Sequence, residues 1–109
     1  MMLVLLDEPT LMLFGSPDTP PDGLEAIDVV NGEYFFCDDD GQPYVGVVTR
    51  AVDRYPLEYS LRPEGNPDIA NARDLAGKAV LLAPNPWYAD LESLRRHLEA
   101  RPKIETPRL

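Results

Sequence analysis

The sequence predicts an α+β fold: a single antiparallel β-sheet, a meander of about 5–7 short strands, with two C-terminal helices packed on one face. Two observations predict the sheet. Short apolar runs recur through the first 62 residues, and Asn31-Gly32 and Asp40-Gly41 between them are dipeptides that favour tight hairpin turns. The helices are predicted by capping residues and prolines that precede apolar residues at helical spacing.

The length of 109 residues corresponds to one domain, which we expect to span residues 1–102, with 103–109 as a flexible tail. Hydrophobic residues make up 44% of the chain, enough for a core and too many for general disorder. A single cysteine excludes an internal disulfide framework and favours the cytoplasm as the compartment.

The first hairpin is predicted from two apolar runs, residues 3–6 and 11–14, that flank the turn segment Asp7-Glu8-Pro9-Thr10. Residues 15–23 contain three prolines and are interpreted as a loop. The opening apolar run is too short, and lacks the basic residues, for an export signal or a membrane span.

The meander is predicted over residues 26–62. Residues 26–30 and 33–37 are β-rich runs joined by Asn31-Gly32, and Asp40-Gly41 leads to a third strand at 44–49. The last strand is predicted at 57–62, where apolar and polar residues alternate as in a half-buried strand.

The first helix is predicted to start with Asn66 as N-cap and Pro67 as the first helical residue, and to end at Gly77. The wholly apolar run 79–83 predicts an interior strand.

Asn85-Pro86 repeats the capping pattern and starts a second helix that Pro102 ends. Its apolar stripe has spacings of four, three and four residues, formed by Trp87, Leu91, Leu94 and Leu98. The bases of this segment are interpreted as a solvated face, because Glu92 and Glu99 offset their positive charge. These bases are Arg95, Arg96 and Arg101.

Charge is the most informative feature of the sequence. The chain carries 19 acidic and 10 basic residues, a net charge of −9, and residues 1–49 hold ten of the acids and no Lys or Arg. This asymmetry predicts a small acidic interaction protein, of the inhibitor, immunity, antitoxin or nucleic-acid-mimic kind, that docks on a basic protein. The predicted partner-binding residues are acids of this half: Asp28, Glu33, Asp38, Asp39 and Asp40.

Other functions are disfavoured. The acidic balance argues against nucleic-acid binding, and no catalytic motif, cofactor motif or metal-ligand spacing is present, so we expect neither an enzyme nor a cofactor. Asp38-Asp39-Asp40-Gly41 does not match a calcium-binding EF-hand loop. We interpret this segment as an acidic hairpin turn, with weak cation binding as the alternative. Cys37 is interpreted as a buried apolar residue and His97 as a helix-end residue.

The alternative is an accessory protein of bacterial or phage origin that acts as a homo-oligomer, its acidity serving only solubility. Proline and arginine enrichment fits such a source, and a strand such as 11–14 at a sheet edge would pair between two copies.

Overall fold

The computed structural model describes residues 1–101 and has an α+β fold, as predicted. Prolines and tight turns keep the elements short, and in chain order they are β1 (Met2–Leu6), β2 (Thr10–Phe14), α1 (Ala26–Val30), β3 (Phe36–Asp38), β4 (Pro43–Val52), β5 (Tyr55–Pro63), α2 (Ile69–Lys78), β6 (Leu81–Leu82) and α3 (Leu91–Ala100). The predicted tail, 103–109, lies outside the described residues.

One six-stranded sheet has the order β5-β4-β3-β1-β2-β6. The β1–β2 hairpin and the β3-β4-β5 meander are antiparallel, but β6 pairs in parallel with β2, so the prediction of a purely antiparallel sheet is wrong. The chain reaches β6 only after crossing through α2, and such a crossover is what a parallel neighbour requires.

The strand β6 also corrects two expectations about the sheet edges. It is a two-residue edge strand whose Leu81 is 56% exposed, where an interior strand over 79–83 was predicted. It pairs with Thr10 and Leu11 of β2. That part of the proposed dimerisation edge is therefore occupied within the chain.

Residues 26–30 form helix α1 rather than a strand, so the described residues contain three helices where two were predicted. Asn31 has φ −84° and Gly32 φ +79°, whereas a type I′ turn needs positive φ at both residues. The Gly32 N–H donates to the Val29 carbonyl and the Glu33 N–H to the Asp28 carbonyl. These are the two bonds of a Schellman motif, so Asn31-Gly32 ends a helix.

The C-terminal helices begin later than predicted, because aspartates cap them. The Asp68 side chain accepts from the Ala70 N–H, and the Asp90 side chain accepts from the Ser93 N–H. Gly77 lies inside α2 instead of ending it. Asn85 caps a separate turn, in which its side chain accepts from the N–H groups of Trp87 and Tyr88.

Two arginines cap the C-terminal ends of α2 and α3 reciprocally. Arg73 of α2 donates to the carbonyls of Leu98 and Arg101 at the end of α3, at 3.0 and 2.8 Å. Arg95 of α3 donates to the carbonyls of Ala76 and Ala79 at the end of α2, at 2.9 and 2.7 Å. Arg95 is therefore a structural cap and not part of a solvated face.

Neighbouring residues of β1 contribute to two different hydrophobic clusters, as strand alternation requires. Leu3 packs in a cluster with α2 and α3 that includes Leu75 and Leu94. Met2 and Val4 pack in a second cluster with Val29 of α1 and aromatic residues of the sheet.

The β4–β5 hairpin extends beyond this second cluster. Along β5, Leu61 is buried and Tyr59 half-buried, but Leu57 and Tyr55 are 43% and 50% exposed, because the five-residue α1 covers only the inner part of the hairpin. Gly46 permits the close approach of α1, since a Cβ there would lie 2.5 Å from Val29 Cγ1.

Candidate functional site

The predicted acidic residues Asp38, Asp39 and Asp40 lie at the end of β3 and in the turn to β4, where their carboxylate oxygens approach within 4.8 Å of one another. Asp38 Oδ1 accepts hydrogen bonds from the N–H groups of Asp40 and Gln42, at 2.9 and 3.0 Å. Gly41 completes the turn with φ +82°. The Asp38 carboxylate therefore stabilises the turn, which confirms the interpretation of Asp38-Asp39-Asp40-Gly41 as an acidic hairpin turn.

Arg101, directly after α3, folds back onto this turn. Its guanidinium pairs with Asp39 Oδ2 at 3.0 Å and with the Asp40 carboxylate, and it also donates to the Asp39 carbonyl. The amino group of Met1 lies 3.5 Å from Asp39 Oδ1. The interpretation of Arg101 as a solvated base is wrong, and part of the negative charge of the turn is compensated locally.

The other two predicted residues, Asp28 and Glu33, belong to a separate group around Tyr34. Burial raises the pKa of Tyr34, and the negative charges of four carboxylates raise it further: Asp28, Asp7, Glu33 and Glu25. These four acids, here called the Tyr34 acidic group, take part in none of the ion pairs found within residues 1–101. The five predicted residues thus fall into two groups: the turn acids, of which Asp39 and Asp40 pair with Arg101, and Asp28 with Glu33, which form no ion pair within residues 1–101.

A cavity of about 370 Å³ lies next to Tyr34. The cavity forms at the edge of β4 that faces β3. Because β3 begins at Phe36, its pairing with β4 ends at Tyr44, and the rest of this edge of β4 has no strand partner within the described chain. The residues that line this Tyr34–Tyr44 cavity are three aromatic residues, Tyr34, Phe35 and Tyr44, one acid, Glu64, two glycines, and aliphatic residues of α1 and β4. Burial raises the pKa of Tyr44 as well, with smaller contributions from Asp38 and Asp18.

A shallower groove of about 250 Å³ lies at the other end of α1. Leu24 and Glu25 face the exposed Tyr55 and Leu57 of the hairpin across it.

Cys37 and His97 do not form a nucleophile and its base. Cys37 is fully buried, and burial, with smaller contributions from Asp38 and Asp39, raises the pKa of its thiol to about 12. Its predicted role as a small apolar residue is confirmed. His97 lies on the exposed side of α3, with its ring 5.7 Å from the ring of Tyr88. A thiol that stays protonated in the core does not act as a nucleophile, because the nucleophilic form is the thiolate.

Two features of the site were missed from the sequence. Asp7 and Glu25 belong to the acid-rich half, but no spacing pattern links them to Tyr34. Arg101 lies 61 residues from Asp40 in the chain, and no local signal predicts that pair.

Comparisons with models of protein families, with curated proteins and with solved structures found no match for this chain. Among the described residues, no helix combines the length and the hydrophobicity needed to cross a membrane.

Proposed function

We propose that this protein is a small, non-catalytic interaction module that docks on a basic protein through the Tyr34 acidic group. The observation that carries the proposal is that four carboxylates whose charges raise the pKa of one tyrosine form no ion pair among residues 1–101. Charge left uncompensated in this way accelerates encounter with a basic surface and orients it.

The distribution of bases supports this choice of surface. Arg73 and Arg95 are engaged in capping α2 and α3, and Lys78 pairs with Asp74 at 2.8 Å. Since α1 and the two longer helices pack against side chains that alternate along β1, the acids of α1 and the bases of α2 and α3 are proposed to occupy opposite faces of the sheet. The charge asymmetry of the sequence then becomes an asymmetry of the surface.

The turn acids contribute less to this proposed docking than the sequence predicts. Asp39 and Asp40 already share the Arg101 guanidinium, and Asp38 is hydrogen-bonded within the turn. A partner would have to compete with Arg101 for these carboxylates, whereas Asp28 and Glu33 are open to it. We therefore place the centre of the interface at Asp28 and Glu33.

The test begins with an affinity column of the purified protein, loaded with source-cell lysate and eluted by a salt gradient. A basic protein released by salt is then purified, and its association rate with three forms of the module is measured by stopped flow. The forms are wild type, Glu25→Gln/Glu33→Gln, and the control Glu92→Gln/Glu99→Gln on α3. All four glutamates are exposed, and both variants remove two negative charges.

We expect the Glu25/Glu33 variant to associate about threefold to tenfold more slowly at low salt and with a flatter salt dependence, while the α3 variant stays near wild type. Equal effects of the two variants would show that only net charge matters, and the proposed surface would be wrong. If the column retains only further copies of this chain, self-association replaces docking on a basic partner as the function.

A further inference from the structure

We infer that the Tyr34–Tyr44 cavity receives an arginine side chain of the basic partner, which anchors the complex. This inference rests on the proposed function and adds the chemistry of the residue that the partner inserts. Interfaces commonly concentrate their binding energy in one anchor of this kind, held in a preformed pocket.

The cavity offers a cation two kinds of interaction in one place. Tyr34, Phe35 and Tyr44 are among the residues that line it, and an aromatic face attracts a cation within about 6 Å of its centroid. Glu64 contributes a carboxylate to the same lining. The volume, about 370 Å³, is in the range of preformed ligand pockets, so a side chain enters without displacing the core.

The residues that line the cavity favour positive charge, because Glu64 is the charged residue among them. None of the residues that line the cavity is basic. The Tyr34 acidic group lies around the tyrosine at the cavity wall, and its charges act on that hydroxyl. Two bases lie near the cavity: Lys78, beyond Phe35, pairs with Asp74 at 2.8 Å, and Arg62 of β5 lies opposite Val45 in the β4–β5 register.

Arginine fits the lining better than lysine does. Its planar guanidinium stacks on an aromatic ring and donates several hydrogen bonds at once, whereas an ammonium is a strongly hydrated point charge. The β4 backbone beyond Tyr44 faces the cavity without a strand partner in the described part of the chain, and alternate carbonyls of an unpartnered edge accept hydrogen bonds. A guanidinium can therefore stack on a ring, pair with Glu64 and donate to β4 together.

The experiment uses two probes of equal charge, capped hexa-arginine and capped hexa-lysine peptides. Their dissociation constants for the full chain are measured by fluorescence anisotropy at low salt. The first variant is Phe35→Ala, because Phe35 is 45% exposed and outside both core clusters, so its removal leaves the fold intact. Trp87→Ala is the matched control, since Trp87 is an aromatic residue with 46% exposure outside the cavity.

A second pair of variants tests the carboxylate. Glu64→Gln removes the charge that lines the cavity, and Glu92→Gln removes one charge from the exposed side of α3. Urea unfolding of each variant verifies that stability is unchanged.

We expect wild type to bind hexa-arginine about threefold to tenfold more tightly than hexa-lysine, from stacking and bidentate hydrogen bonding. Phe35→Ala and Glu64→Gln should each remove most of this preference, and Trp87→Ala and Glu92→Gln should preserve it.

The two proposals fail differently. If both peptides bind equally and Phe35→Ala changes nothing, the arginine anchor is overturned while docking of a basic partner stands. If the preference for arginine persists in Phe35→Ala but is lost in Trp87→Ala, the anchor lies elsewhere and the cavity is overturned. If neither peptide binds at low salt, the proposed function fails together with the inference.

Discussion

Gly41 is the position where the structure makes its sharpest prediction about stability. The residue is buried in the β3–β4 turn with φ +82°, and a Cβ built on it would lie 1.8 Å from the Asp68 carbonyl oxygen. Its own carbonyl accepts from the Asp68 N–H at 3.3 Å and from Asn71 Nδ2 at 2.9 Å. The turn is thus attached to the start of α2, and alanine is incompatible with the contact.

These contacts determine how much free energy of unfolding Gly41→Ala should remove. The left-handed backbone costs an alanine about 1–2 kcal/mol. Relief of the overlap moves the turn away from α2 and weakens two hydrogen bonds, each with a net contribution of about 1 kcal/mol. The expected loss is about 3–4 kcal/mol out of a typical total of about 5–15 kcal/mol.

The assay is equilibrium urea unfolding followed by circular dichroism. With an m-value of about 1.5 kcal/mol/M, Gly41→Ala should lower the midpoint by about 2 M. Asn71→Ala, which removes only one of the two hydrogen bonds, should cost about 1 kcal/mol and provides a graded check if Gly41→Ala does not fold.

Gly77→Ala is the control of opposite sign. Gly77 lies inside α2 with nothing within 4 Å of an added Cβ, so alanine should stabilise the protein by about 0.5–1 kcal/mol. A Gly41→Ala variant within about 1 kcal/mol of wild type would refute the attachment of the turn to α2.

Two further predictions concern titratable groups. Cys37 should react with a thiol reagent at about pH 8 only as fast as the protein unfolds, because burial raises the pKa of its thiol to about 12, and rapid labelling of the folded protein would contradict that burial. Hydrogen bonds from the backbone and hydroxyl of Ser93 hold the pKa of Asp90 below its ordinary value. The Asp90 carboxyl therefore binds a proton less readily in the folded state than in the unfolded state. The ionised carboxylate stabilises the folded protein at neutral pH, and this contribution is lost as the pH falls through the lowered pKa. The difference in urea midpoint between wild type and Asp90→Asn should shrink on acidification to about pH 3, and a constant difference would contradict it.

The sequence predicted those parts of the fold that depend on neighbouring residues. The β1–β2 hairpin follows from two apolar runs and a short turn, and the Asp40-Gly41 turn follows from a glycine that adopts positive φ. The alternation at residues 57–62 predicted β5. The burial of Cys37 was also predicted, because its neighbours form an apolar strand.

The Asn31-Gly32 dipeptide shows where local information ends. A glycine with positive φ fits either a hairpin turn or the end of a helix, and both are preceded by apolar residues. The outcome depends on whether residues 26–30 can pair with a strand or pack on one. In the folded protein Gly46 opens a space on β4 that Val29 of α1 fills, and this contact is 17 residues away in sequence.

The candidate site also depends partly on local sequence and partly on contacts between distant residues. The sequence by itself determined the excess of acid in residues 1–49 and the cap and turn chemistry that builds most of the elements. Only the tertiary structure decided which acids are compensated, because ion pairing depends on distance in space. Arg101 returns across 61–62 residues to Asp39 and Asp40, while the charges of Asp28, Glu33, Asp7 and Glu25 all act on Tyr34. The parallel pairing of β6 was decided in the same way, since a strand finds its place only after the helix before it has packed.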